Sequence, residues 1–181
     1  MKLNVKPVTR RLPEFAEICK LMKTAFPKDE LISLSMWRIL AFRKNICFSA
    51  VYDAQKFIGI VYTAENEKYM YIPFLAICES ERNKGYGSQI LKWLKDQYQK
   101  TLVLHIEPLD PSAENYEQRV RRADFYHRNE IKDTYYRFNF LSVPFAVYSS
   151  DCDNFDVSIH NGLMRWFSFN LLKFNFVRVK N

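Results

Sequence analysis

Apolar residues recur at Leu12, Phe15, Ile18, Cys19, Met22 and Phe26, the spacing of one helix face, and Pro27 closes the run. A strand is predicted before it, over 2–8. A second helix is predicted over 30–42, with Leu31, Leu34, Ile39 and Phe42 as its apolar positions. The pattern then shortens to strand period: 46–52, a turn at Asp53-Ala54-Gln55-Lys56, and a returning strand over 57–63. A long apolar strand follows over 69–78 with Pro73 in its middle. Proline has no N–H for the ladder, so a bulge or a lost pairing is predicted there. Beyond it, 88–99 has a helical stripe at Ile90, Leu91, Leu94 and Tyr98, and 102–106 is a short buried strand. Asp110-Pro111 looks like a cap and first turn of a helix running to about 127. Segments 134–140 and 145–148 alternate like a hairpin. The tail is ambiguous: Leu163, Trp166, Phe167 and Leu171 suit a helix, whereas 173–179 alternates like a strand. Helices threaded between strands predict an α/β (α+β) fold.

Composition narrows the class. With 48% hydrophobic and 26% charged residues, the chain lies far from the composition of disordered proteins. At 181 residues it is long enough for a core without disulfide or metal staples. The 27 basic against 20 acidic residues leave a net charge of +7, which favours an anionic partner: nucleic acid, anionic lipid or a phosphorylated small molecule. Cys19, Cys47, Cys78 and Cys152 are too dispersed for a redox pair or zinc knuckle and are expected to be reduced and mostly buried. His105, His127 and His160 lack ligand spacing, so no metal site is expected. The start has no long apolar run, and no stretch has the length of a membrane span. A soluble, cytoplasmic protein is expected.

The segment richest in chemistry is Arg82-Asn83-Lys84-Gly85-Tyr86-Gly87, between an apolar strand and an amphipathic helix. Two glycines allow a sharp turn and close approach of a ligand. A helix N-terminus supplies free N–H groups and partial positive charge, and Arg82 and Lys84 add full charges. These are the parts of a pyrophosphate cradle; a plain tight turn into a helix is the alternative. A Walker loop is absent, and Ile90 stands where a dinucleotide fingerprint needs its third glycine.

This segment resembles motif A of the GNAT superfamily of acyl-coenzyme A transferases, Arg/Gln-x-x-Gly-x-Gly/Ala, at Arg82, Gly85 and Gly87. The strand Phe74-Leu75-Ala76-Ile77 before it is typical of the superfamily, and Ala123-Asp124-Phe125-Tyr126 resembles the Ala-x-Phe-Tyr of its fourth helix. The resemblance spans about 2–150. It implies a mixed, mostly antiparallel central sheet with helices on both faces and a splayed coenzyme cleft. It divides the chain into a GNAT N-acetyltransferase domain over 1–150 and an extension over 151–181 packed on it.

The resemblance also implies roles. Acetyl-coenzyme A is the co-substrate, held by Arg82, Asn83, Lys84, Gly85, Tyr86, Gly87 and Ser88 at its phosphates, and by the backbone of Leu75, Ala76 and Ile77 along its pantetheine. An amine attacks the thioester directly in a ternary complex, and Tyr126 protonates the leaving thiolate, unless it is simply a packed aromatic. The glutamate that many members carry on the strand before motif A is replaced by Tyr71. Glu107, directly or through water, and Glu30, as an amine ligand, are the candidate carboxylates; both are alternatively surface groups, and proton loss to solvent is a further route. Arg119 stands where relatives often have Asn, which alters the pantetheine contact. The Arg119, Arg121 and Arg122 cluster is a solvated face, or it contacts the coenzyme 3′-phosphate or an acidic acceptor.

The expected function is acetyl transfer to a primary amine of a small molecule or peptide. A coenzyme A-binding protein without transfer and a basic nucleic-acid-binding module are the alternatives. No nucleic-acid reader motif is present, so neither nucleic acid nor membrane is an expected partner. The aromatic run Trp166-Phe167-Ser168-Phe169 makes a homodimer conceivable.

Overall fold

The strands and helices alternate in the order β1 (Leu3–Pro7), α1 (Phe15–Ala25), α2 (Leu34–Leu40), β2 (Ile46–Asp53), β3 (Lys56–Glu65) and β4 (Tyr69–Ile77). Then come α3 (Tyr86–Tyr98), β5 (Thr101–Ile106), α4 (Tyr116–Arg128), β6 (Lys132–Phe140), β7 (Val143–Ser149), α5 (Val157–Phe167) and β8 (Val177–Arg178). The structure, a computed structural model, describes residues 3–25, 34–140 and 142–179. The strand order is β1-β2-β3-β4-β5-β7-β6-β8. The β4–β5 ladder is parallel, whereas β1–β2, β2–β3, β5–β7, β6–β7 and β6–β8 are antiparallel. This is the mixed, mostly antiparallel sheet flanked by helices that was expected. No helix among the described residues is long and apolar enough to cross a membrane.

Contacts divide the chain into two compact units, Met1–Ala64 with Ile72–Asp96, and Glu65–Tyr71 with Gln97–Asn181. In the first unit, Ile18 and Met22 of α1 are buried, as their helical spacing requires. Trp37 of α2 meets Tyr62 and Phe74 edge-on, with ring centroids 5.3 and 4.6 Å apart, and accepts the Tyr62 hydroxyl at its carbonyl. Edge-to-face contacts of this kind favour aromatic clusters beyond the area they bury. Gly59 of β3 is set so close to β4 that a Cβ would collide with the Ala76 carbonyl and lie 3.1 Å from the Ile77 Cα.

In the second unit, the first three residues of β4 pair with Thr101, Leu102 and Val103 of β5, and the ladder ends at Tyr71–Val103. It stops short of Pro73, in keeping with the lost pairing expected of a residue without an N–H. Strand β6 slips register between Asp133 and Arg137. Tyr135 lies there in the left-handed region (φ 62°), its N–H donating to the Asp133 carboxylate. The tail belongs to this unit. Asp156 caps α5 by accepting from the Ser158 and Ile159 N–H groups, and β8 pairs with β6.

Helix α5 also delivers His160 to His105 of β5, with 2.9 Å between their Nε2 atoms. One ring must donate and the other accept, so at least one of the two is unprotonated. Tyr71 and Phe138 lie 4.7 Å from the His105 ring, and Phe155 and Phe176 stand 5.6 and 5.7 Å from His160. Burial pushes His160 down to about 3; burial and then His160 push His105 well below its ordinary value. Among the described residues no group of three or more His, Cys, Asp or Glu could hold a metal ion.

Several boundaries differ from the pattern-based expectation. Helix α1 begins at Phe15 because residues 10–14 form turns. Helix α2 ends at Leu40, so Phe42 is 86% exposed and Ile39 58% exposed rather than core. Asp110 does not open a helix. Its carboxylate accepts from the Ser112 N–H and hydroxyl in a local turn, and α4 starts only at Tyr116. Of 173–179, only Val177–Arg178 forms a strand. Of the cysteines, Cys78 is buried, Cys19 and Cys152 are half-buried and Cys47 is exposed, correcting the expectation that most are buried.

Two outcomes follow. The histidines have lower pKa values folded than unfolded. Their contribution is therefore complete above about pH 6.5 and declines as the pH falls from there towards 3. Urea titrations should show stability falling by about 2 kcal/mol from His160 between pH 7 and pH 5, with a loss of the same sign from His105. The His105→Leu/His160→Leu variant should flatten that slope; an unchanged slope contradicts the assignment. Separately, Gly59→Ala should cost roughly 1–3 kcal/mol by overpacking, read as a lower melting temperature.

Candidate active site

Strand β4 ends at Ile77, and the Cys78 N–H donates to the Ile58 carbonyl at 2.9 Å, anchoring the chain where it leaves the sheet. A single 3-10 turn over Glu79–Glu81 follows. The chain then reverses twice in the left-handed region, at Asn83 (φ 63°) and Gly85 (φ 80°). Asparagine tolerates that region and glycine adopts it without strain, which explains both residue types. Around Gly85 there is open space, with only the Gln89 Nε2 3.7 Å from where a Cβ would stand, so backbone conformation is what requires glycine there.

Helix α3 begins at Tyr86, two residues earlier than its apolar stripe suggested, so Gly87 and Ser88 lie in its first turn rather than in the loop. That turn contains no acidic residue, and the N–H groups of Tyr86, Gly87 and Ser88 precede the first intrahelical bond, which runs from the Gln89 N–H to the Gly85 carbonyl at 3.1 Å. Arg82, Asn83, Lys84 and Gly85 are exposed, and Gly87 and Ser88 are half-buried. The result is an exposed turn bearing two cations in front of a helix N-terminus, a chemistry suited to an anion.

The side chains of the loop are not all directed to that purpose. The Arg82 Nε donates to the Ile77 carbonyl at 3.3 Å. Lys84 donates to Glu81 at 3.2 Å, and Lys56, the first residue of β3, reaches the same carboxylate at 2.6 Å. Lys56, then its partner lysine, holds the Glu81 carboxyl below its ordinary value against the opposing effect of burial. Tyr86 is buried and donates its hydroxyl to Asp53 at 3.0 Å, so its side chain joins helix to hairpin. Nothing in the sequence pattern linked Lys56 to this loop. The spacing of Glu81 and Lys84 was visible, but not that the carboxylate is buried.

The remaining site candidates lie on other elements. Leu75 and Ile77 are half-buried and Ala76 is buried on β4. In the second unit, Glu107 follows β5 and is 8% exposed; it is ion-paired with Arg122 and accepts from the Asn115 amide at 3.3 Å. Arg119 donates to the Asn115 side chain at 2.7 Å and to the Pro108 carbonyl at 2.9 Å. Two of the three clustered arginines therefore have internal partners, and Arg121 is the exposed member. Tyr126, half-buried on α4, packs against Phe125 with centroids 5.1 Å apart. Burial raises its hydroxyl pKa while the Arg122 charge opposes that rise, so the phenol keeps its proton at neutral pH. Tyr71 is buried in the aromatic surroundings of His105 and His160. Glu30 lies outside the described residues.

Known proteins share this architecture. A GNAT-family protein of Bacteroides thetaiotaomicron superposes with a TM-score of 0.71 at 21% identity, covering 93% of this chain and 97% of its own. The aminoglycoside 6′-N-acetyltransferase of Enterococcus faecium gives 0.58 at 13% identity, covering 81% of this chain and 95% of its own. A GNAT family acetyltransferase of Elizabethkingia anophelis, solved with acetyl-CoA bound, gives 0.57 at 14% identity over 81% and 96%. At these identities the likeness is one of fold. No protein of curated function matches the sequence significantly. The family described as "Acetyltransferase (GNAT) family" matches residues 15–120, more than half the chain, through the strand–loop–helix that carries Arg82, Gly85 and Gly87: the chain belongs to the GNAT acetyltransferase family.

Proposed function

We propose that the chain transfers the acetyl group of acetyl-coenzyme A to a primary amine of a small molecule or peptide by direct attack in a ternary complex. The observation that carries this reading is the turn at Asn83 and Gly85, opening into a helix whose first turn is free of acids. Backbone N–H groups fixed in this way suit a pyrophosphate. The fit is good: the turn is exposed, Gly85 leaves open space, and Arg82 and Lys84 flank it. Acetyl-coenzyme A supplies the thioester, whose carbonyl carbon takes the amine and whose sulfur departs.

The chain's own residues divide the remaining work. Backbone groups of Leu75, Ala76 and Ile77 accompany the pantetheine, and Arg119 is a further contact in this reading. Tyr126 gives its proton to the leaving sulfur; a neutral phenol is the form that donation needs. Both Glu107 oxygens already have donors, so taking up the amine's proton would require giving up a partner. The amine therefore loses its proton to water in this reading.

Gly87→Val adds bulk in the first turn of α3 and should abolish acetyl-coenzyme A binding in calorimetry with little change in melting temperature. Unchanged affinity would remove the loop from the site. Tyr126→Phe keeps the ring and removes the hydroxyl. With an amine acceptor identified by an acetyl-transfer screen, and chemistry shown to limit turnover, kcat should fall about 10²–10⁴-fold while coenzyme affinity changes little. Unchanged kcat would exclude Tyr126 as the acid, and coenzyme binding without any turnover across polyamines, aminoglycosides, amino acids and peptides would favour a binding protein.

A further inference from the structure

Three charged side chains meet beside the coenzyme loop, and only Lys84 belongs to it. Glu81 has a side chain only 3% exposed, whereas Lys56 and Lys84 are 61% and 51% exposed. A buried carboxylate without a counter-charge is strongly unfavourable, and one ammonium is enough to neutralise it. Here there are two. Lys56 holds Glu81 at 2.6 Å and Lys84 at the longer 3.2 Å, each on its own carboxylate oxygen.

The two lysines differ in what holds them. Lys56 opens β3, and the turn before it is tied to α3 through the Tyr86–Asp53 hydrogen bond. Lys84 lies between the left-handed residues Asn83 and Gly85, in the exposed turn itself. One lysine is placed to stay on Glu81, and the other to turn towards an anion at the helix N-terminus. A phosphate is a stronger partner for an ammonium than a carboxylate whose charge is already matched by another cation.

We infer that Lys56 is a positioning residue for coenzyme recognition: by neutralising the buried Glu81 it releases Lys84 to a phosphate group of the coenzyme. This rests on the proposed function, which it extends from the loop to the preceding hairpin. In the free protein Lys84 completes the pair of cations on Glu81; with coenzyme bound, Lys56 alone holds the carboxylate. Without Lys56, Glu81 has Lys84 as the remaining member of this trio, and Lys84 is retained by the carboxylate.

Calorimetry with coenzyme A and with pantetheine, which lacks every phosphate, tests this on the full chain. Lys56→Met should weaken coenzyme A about tenfold and leave pantetheine unchanged. Lys56→Arg should retain wild-type affinity. Adding Glu81→Gln to Lys56→Met should recover most of the loss, because no charge then retains Lys84; a purely structural role for Lys56 would not be rescued by removing its partner. The inference is overturned if Lys56→Met binds coenzyme A like the wild type, if both ligands weaken equally, or if the folded double variant shows no recovery. If that double variant does not fold, Lys84→Met should cost less in the Lys56→Met background than in the wild type, and equal costs overturn the inference. A wild-type chain that binds no coenzyme A overturns the proposed function itself, and this inference with it.

Discussion

Pro73 stands inside β4 with no N–H to give, and the β4–β5 ladder ends two residues before it, at Tyr71–Val103. Up to that point β4 is one strand of a parallel ladder. From Ile72 onward it belongs to the unit of β3, pressed against Gly59 at Ala76 and Ile77. Beyond Tyr71 the ladder with β5 is over, and much of the candidate site hangs on where the far end of β4 is directed. The Cys78–Ile58 hydrogen bond sets that end, the turn over Glu79–Glu81 follows, and the left-handed Asn83 and Gly85 bring the chain into α3. A glycine in β3, a proline in β4 and a glycine in the loop each contribute something an ordinary residue lacks: room, a missing donor, or a positive φ.

Buried charge is handled by pairing and buried imidazole by neutrality. Glu81 takes two lysines, and Glu107 takes Arg122 with an amide from Asn115. The histidine pair instead gives up charge. Desolvation disfavours the imidazolium, and with 2.9 Å between the Nε2 atoms two protonated rings would repel. These choices bear on chemistry. A carboxylate bound by its own donors is a poor place to deliver a proton, and a histidine pushed to about 3 is too weak a base to take one from an ammonium group. The Tyr126 phenol, held protonated by burial, is in a protonation state that suits donation.

Local grammar made much of this legible in advance. The helical stripe of α3, the alternating hairpin of β6 and β7, the consequence of Pro73 and the loop from Arg82 to Gly87 all depend on nearest neighbours in the chain, where periodicity and the special backbone demands of proline and glycine operate. Where expectation and structure part, the cause is a competing local bond or the limit of a packed face. Asp110 spends its carboxylate on Ser112 instead of a helix, and α2 stops before Phe42 can join the core.

The order of strands and helices as far as β7, the turn chemistry of the loop from Arg82 to Gly87 and the resemblance that the family match establishes were legible in the sequence alone, because each depends on residues a few positions apart. Tertiary packing alone brings His105 and His160, 55 positions apart, to a shared hydrogen bond and sets Tyr71 against them. It also decided that Lys56, which looked like a turn residue, faces a carboxylate buried 25 positions away at Glu81. Burial and charge pairing are properties of what surrounds a side chain once the backbone has been brought together, and a linear pattern carries no record of those surroundings.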